Sequence, residues 1–200
     1  MNLALFDFYG TLTKEDTSTA FLFYATSKPR LAIGFALVWP VILLYKLGLL
    51  PARKTRPVLA CIAFWYRCEE DVDVIAKRFA AEYLPTELRP DAMEMLAKHK
   101  ANGDDVYLVS ATLNIYLRHL CKRHDMKLLC STMSVKNGRF TGRYLNGDCS
   151  CENKAAAVQK TVDLNAYSQV YAYGDTDEDL PMLALADVKY LCGNRISTNQ

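Results

Sequence analysis

Leu3-Ala4-Leu5-Phe6-Asp7-Phe8-Tyr9-Gly10-Thr11-Leu12-Thr13 is the stretch on which the fold turns. Residues 3–8 form a short apolar run, carrying one aspartate and stopping at Gly10-Thr11. A run of that length that ends in a glycine turn predicts a buried parallel strand. Asp7 then stands where the strand gives way to the turn. Taken alone, an aspartate there is an ordinary strand-end turn residue, so the remaining chain must decide its meaning.

Outward from this stretch, Asp16 predicts an N-cap for a helix through residues 21–24. Residues 31–50 are almost wholly apolar, broken by Gly34, Pro40, Lys46 and Gly48. Helical patterns follow at 53–67 and 70–84, and Pro90 opens another at 91–100 that Asn102-Gly103 closes. From there strands at 106–109, 127–130, 170–173 and 188–191 alternate with helices at 113–124, 153–161 and 180–186. That alternation predicts a doubly wound parallel sheet with helices on both faces, an α/β core of Rossmann-like type. Asn137-Gly138, inside 133–141, predicts a small β-hairpin interrupting it. The expected division is a core from 1–14 and 86–200, with a helical cap at 15–85.

Composition narrows the class. The 200 residues are 51% hydrophobic and 23% charged, as in a folded globular protein. A net charge of +2, with basic residues spread along the chain, argues against nucleic acid as a partner. The seven cysteines, an odd number without paired metal spacing, predict reduced thiols and a cytoplasmic setting. The first residues lack the basic start of a signal peptide.

Four clusters fall at the predicted C-terminal ends of strands or helix starts, where open α/β sheets bind ligands. They are Asp7 to Thr13, Ser110-Ala111-Thr112, Lys154, and Gly174-Asp175-Thr176-Asp177-Glu178-Asp179. The inventory suits phosphoryl transfer. A carboxylate attacking a phosphate dianion meets like-charge repulsion, so a cation must bridge the two. Asp7, Asp175 and a backbone carbonyl of the first loop would hold Mg²⁺ through hard oxygens. Ser110 and Lys154 would donate to the phosphoryl oxygens, and Gly10 and Gly174 would let backbone approach closely. Each residue alone has a plainer role: Ser110 as a helix cap, Lys154 as a solvated lysine, residues 175–179 as cap carboxylates.

Asp7-x-Tyr9-Gly10-Thr11-Leu12-Thr13, Val109-Ser110, Lys154 and Gly174-Asp175-x-x-x-Asp179 resemble the four motifs of the haloacid dehalogenase superfamily. Arg89-Pro90-Asp91, Gly103 to Ser110, and Asn137 to Gly142 resemble its phosphoserine-phosphatase-like branch, subfamily IB. The long apolar insertion is similar to that of bacterial phosphatidylglycerophosphate phosphatases. The resemblance implies that Asp7 attacks phosphorus and becomes an aspartyl-phosphate, which water cleaves. It implies a Mg²⁺ site of Asp7, the Tyr9 carbonyl and Asp175. Asp179 would support those ligands or reach Lys154, and the backbone of Gly10, Thr11, Ala111 and Gly174 would line the phosphate loop. The substrate would be a small-molecule or lipid phosphate.

Position 9 departs from the phosphatase pattern. Those enzymes carry a second Asp there as general acid and base; this chain has Tyr9. A phenol donates a proton but is a poor base when neutral. Tyrosine there resembles the dehalogenase branch itself, which needs no metal, so 2-haloacid dehalogenation is the rival chemistry. A third reading is an impaired enzyme that only binds phosphate or membrane.

Residues 31–50 are long enough to cross a bilayer. A single crossing would part Asp7 from Ser110, Lys154 and Asp175, which must meet. An even number of crossings, a re-entrant bend near Pro40, an interfacial helix, or a cap that packs its own apolar faces all satisfy that requirement. Basic flanks at Lys28, Arg30, Lys46, Arg53, Lys54 and Arg56 suit peripheral contact with an anionic inner leaflet.

Overall fold

The computed structural model describes residues 1–196. β1 (Leu3–Phe6) is followed by α1 (Thr17–Ala25), α2 (Lys28–Lys46), α3 (Ala52–Phe64), α4 (Glu69–Glu82), α5 (Leu84–Glu87) and α6 (Pro90–Ala101). β2 (Asp105–Leu113), α7 (Asn114–His124) and β3 (Lys127–Ser131) come next, then a hairpin of β4 (Met133–Lys136) and β5 (Arg139–Tyr144). α8 (Glu152–Thr161), β6 (Val170–Gly174), α9 (Leu180–Leu183), β7 (Val188–Leu191) and β8 (Asn194–Ile196) complete the described chain.

The main sheet has the order β3-β2-β1-β6-β7-β8 and is parallel except at β7–β8. β1 lies inside it, flanked by β2 and β6, and all four of its residues are buried. Strand alternation sends Ala4 and Phe6 into one core with Leu108, Tyr116 and Leu96. Leu3 and Leu5 enter the other, with Val109, Val158, Ala172 and Met182. Both faces are therefore covered, which is why the sequence of β1 reads as a continuous apolar run.

Local signals act as expected in several places. Asp16 caps α1 by accepting the Ser18 N–H at 2.9 Å. Asn137 and Gly138 turn the β4–β5 hairpin with φ of 52° and 69°, both in the left-handed region that such a two-residue turn demands. Three expectations need correction. The strand predicted at 106–109 runs from Asp105 to Leu113, with a register shift against β3 between Ser110 and Leu113. The helix predicted at 180–186 stops at Leu183, because the next turns tighten to i→i+3 bonds from Leu185 and Ala186. α2 passes straight through Pro40, so no re-entrant bend forms there.

One buried polar group sits within this apolar frame. Phe6, Tyr173 and Tyr190, level on three neighbouring strands, stack with centroids 4.3 and 4.8 Å apart. Behind them His99 on α6 places Nε2 2.8 Å from the Tyr173 hydroxyl and Nδ1 2.9 Å from Asp104 Oδ2. The Asn2 N–H donates to Asp104 Oδ1 at 3.0 Å. Burial pushes the Asp104 carboxyl up, but His99 and Asn2 outweigh it and hold the group below its ordinary value. A depressed carboxyl contributes stability above the unfolded pKa and loses it as pH falls through the folded one. Asp104→Asn should therefore cost roughly 1–3 kcal/mol at neutral pH, with the deficit shrinking below about pH 4. Urea unfolding across that range measures both.

Candidate active site

Phe6 lies level with Leu108 on one side and Tyr173 on the other. Asp7 therefore leaves the sheet beside Val109–Ser110 and Gly174–Asp175, at the C-terminal edge of three adjacent parallel strands. Its N–H donates to the Tyr173 carbonyl at 2.9 Å, and the residue is 5% exposed. Lys154, in the first turn of α8, is buried and its ammonium contacts both Asp7 and Asp179. Asp179 Oδ2 accepts the N–H groups of Asp175 at 3.1 Å and Thr176 at 3.2 Å, which locks the turn after β6. Its other oxygen meets Lys154, one of the two roles the sequence allowed it.

Asp7, Asp175 and Asp179 bring carboxylate oxygens within 4.8 Å of one another. Two glycines make this possible. Gly10 has φ of +74°, and a Cβ there would overlap the Asp175 carboxylate. A Cβ on Gly174 would collide with Asp179.

Charge is unbalanced in this cluster: three carboxylates surround one ammonium. Burial opposes the charge on Lys154, yet Asp7 and Asp179 hold its pKa above the ordinary lysine value. Burial pushes Asp7 up to about 7 against the pull of Lys154, with Asp179 adding repulsion. Burial and the Asp179 charge push Asp175 up to about 6. A divalent cation fits such a place, since the donors are hard oxygens and the surplus is negative. The buried Thr11 hydroxyl also has no partner among the described residues, as suits a loop shaped to receive an external group.

Ser110 is 2% exposed, and its Oγ accepts the Thr112 N–H at 3.1 Å. It does not cap α7, whose N-cap is Leu113. Ala111 sits beside it in the irregular end of β2. Tyr9 is 48% exposed, outside the buried charges.

Two contributions come from outside the four clusters. Arg89 donates to the Gly10 carbonyl at 3.1 Å while paired with Asp91, so it steadies the first loop from below. Arg56 on α3 reaches Asp148 at 3.4 Å and Glu178 at 3.2 Å, tying the helical insertion to the turn that holds Asp179. Positions 56, 148 and 178 share no spacing that would show this.

The family model described as haloacid dehalogenase-like hydrolase matches residues 4–184. The Caulobacter vibrioides protein CicA is 30% identical over 195 residues, covering 94% of this chain and 84% of that protein. A Bordetella pertussis crystal structure of unknown function superposes with a TM-score of 0.78 at 21% identity, covering 94% of this chain and 88% of that one. A probable phosphoserine phosphatase from Vibrio cholerae gives a TM-score of 0.70 at 18% identity, over 95% of this chain and 55% of that one.

The raised carboxyls set the sign of a pH effect. A cation must compete with the protons on Asp7 and Asp175, so binding tightens as pH rises through about 6 to 7 and releases protons. Calorimetric titration with Mg²⁺ in buffers of different ionisation enthalpy should show both trends, and Asp7→Asn should weaken them.

Proposed function

This chain belongs to the haloacid dehalogenase-like hydrolases, and from that footing we propose that it hydrolyses phosphate monoesters through Asp7. The observation that carries the proposal is the buried contact of Lys154 with Asp7 and Asp179, with Asp175 within reach, at the edge of three parallel strands. The phosphatase named among the similar structures supports it through the shared fold.

Residues of this chain would divide the work. The free carboxylate oxygen of Asp7 attacks phosphorus as the bond to the leaving oxygen breaks, giving an aspartyl-phosphate. Water then attacks that phosphorus, releasing phosphate and restoring the carboxylate. Lys154 favours the ionised form of Asp7 against burial and, with the Ser110 hydroxyl, would donate to the phosphoryl oxygens. Gly10, Thr11, Ala111 and Gly174 supply the close backbone of the phosphate loop. Asp179 holds Lys154 and the Asp175 turn in place. Mg²⁺ bound by Asp7, the Tyr9 carbonyl and Asp175 would neutralise repulsion between the nucleophile and a dianionic ester.

Tyr9 stands at the position of the general acid and base. As a phenol it can protonate the leaving oxygen but activates water poorly, so turnover is slow on this reading. It also motivates the rival chemistry, metal-independent release of halide from 2-haloacids. The surplus of buried carboxylate favours the phosphatase, because an uncharged carbon–halogen bond has no need of a cation there. The substrates that fit are a lipid phosphate or a phosphoserine-like ester. The setting is the cytoplasm, peripheral to the inner face of the membrane, with the seven free cysteines in support.

Phosphate release from an aryl phosphate should require Mg²⁺, stop with chelator, and fall below detection in Asp7→Asn. Halide release from 2-haloacids in the presence of chelator would instead establish the dehalogenase. Neither activity would leave a binding protein. Tyr9→Asp should raise Mg²⁺-dependent turnover by about 10²–10⁴, the usual worth of a general acid-base group. No rise in kcat would refute the role given to position 9.

A further inference from the structure

α2 carries an apolar surface that the other described residues leave bare. Of its nineteen residues only Gly34 and Val38 are buried, while Ile33, Leu37 and Trp39 are 64%, 71% and 60% exposed. The apolar faces of the helical insertion therefore do not all pack against each other. Leu47 and Leu49, in the turn to α3, are also exposed.

Charge in this region is one-sided. Between Asp16 and Glu69 the sequence has seven basic residues and no acidic one, in a chain whose net charge is only +2. Lys46, Arg53 and Lys54 are exposed around the α2–α3 turn, and Lys28 is exposed at the other end of α2. Both tryptophans of the chain, Trp39 and Trp65, are exposed here, with Tyr45 and Tyr66. Basic residues mixed with aromatic and aliphatic ones suit the boundary between lipid headgroups and acyl chains.

The packing keeps α2 from crossing a bilayer. Gly34 lies against Ile62, and the Arg30 guanidinium donates to the carbonyls of Ile62 and Trp65, so α2 runs back along α3. α3 is in turn fixed by Ala60, Ala63 and Phe64, all buried, and by contact with β5. Sinking α2 would drag Arg53 and Lys54 with it. An orientation along the surface avoids that cost.

We infer that α2 and the α2–α3 turn form an interfacial anchor for an anionic bilayer. Ile33, Leu37 and Trp39 would enter the acyl boundary while Lys46, Arg53 and Lys54 meet lipid phosphates. As the place where substrate is met, this anchor rests on the proposed hydrolysis; adhesion itself does not. Arg56, on the same helix as Arg53 and Lys54, connects the anchor to Asp148 and Glu178 beside the site.

Flotation of the full chain with vesicles of phosphatidylcholine, alone or mixed with phosphatidylglycerol, tests this directly. The mixed vesicles should bind at least tenfold more tightly, with tryptophan emission shifted to the blue. Trp65→Phe should retain that shift and Trp39→Phe should lose most of it. Combined Lys46→Glu, Arg53→Glu and Lys54→Glu should weaken binding by roughly tenfold or more. Leu37→Asp should abolish the blue shift, with an unchanged thermal melt showing that the variant folds. Equal or absent binding to the two vesicle types would overturn the inference. So would a stable dimer by light scattering whose Trp39 emission is already blue-shifted without lipid. Hydrolysis is not read in this experiment, so its failure leaves the proposed activity standing.

Discussion

Lys154 is the group on which the site depends. Two buried carboxylates and the partly exposed Asp175 converge around its single ammonium, and an unpaired buried charge is among the most costly things a fold can carry. The protein meets that cost only in part. One carboxylate is balanced, and the others drift toward the neutral form unless another cation arrives. Gly10 and Gly174 exist as glycines because the convergence leaves no room for a side chain. The site is thus strained in charge rather than in backbone, and that imbalance is what supports the proposed binding of a cation.

Around this centre the chain is asymmetric. The sheet provides a rigid floor in which Phe6, Tyr173 and Tyr190 stack across three strands. Above it, the insertion between β1 and β2 shares one apolar core with the sheet through Phe21, Phe64 and Phe79, and partly exposed Arg56 adds ion pairs to Asp148 and Glu178 near Asp179. Pairs of that kind hold geometry more than they add stability.

Much of this was legible before any coordinates. The apolar run at 3–8, the Asn137-Gly138 turn and the Asp16 cap each follow from local chemistry, and the structure honours all three. Asp7, Lys154, Asp175 and Asp179 each fall at a matching place in successive strand-helix units, and the structure brings the four together. What stayed hidden was non-local or weakly patterned. Arg56 with Asp148 and Glu178 depends on how one helix lies across two loops. β8 has only three residues, too few for a period to show. The bare surface of α2 has an apolar sequence that a buried helix would share, so composition could not tell one from the other.

β1 has a further consequence through its place in the sheet. Leu3 pairs with Asp105 on one side and Val170 on the other. Asp7 is therefore made before either strand that flanks β1, with β2 following the helical insertion and β6 coming later still. During synthesis the apolar start of the chain has to wait, unpaired, while the helical insertion is made. A nascent chain cut short before β6 would carry Asp7 with only one of the two strands that flank β1.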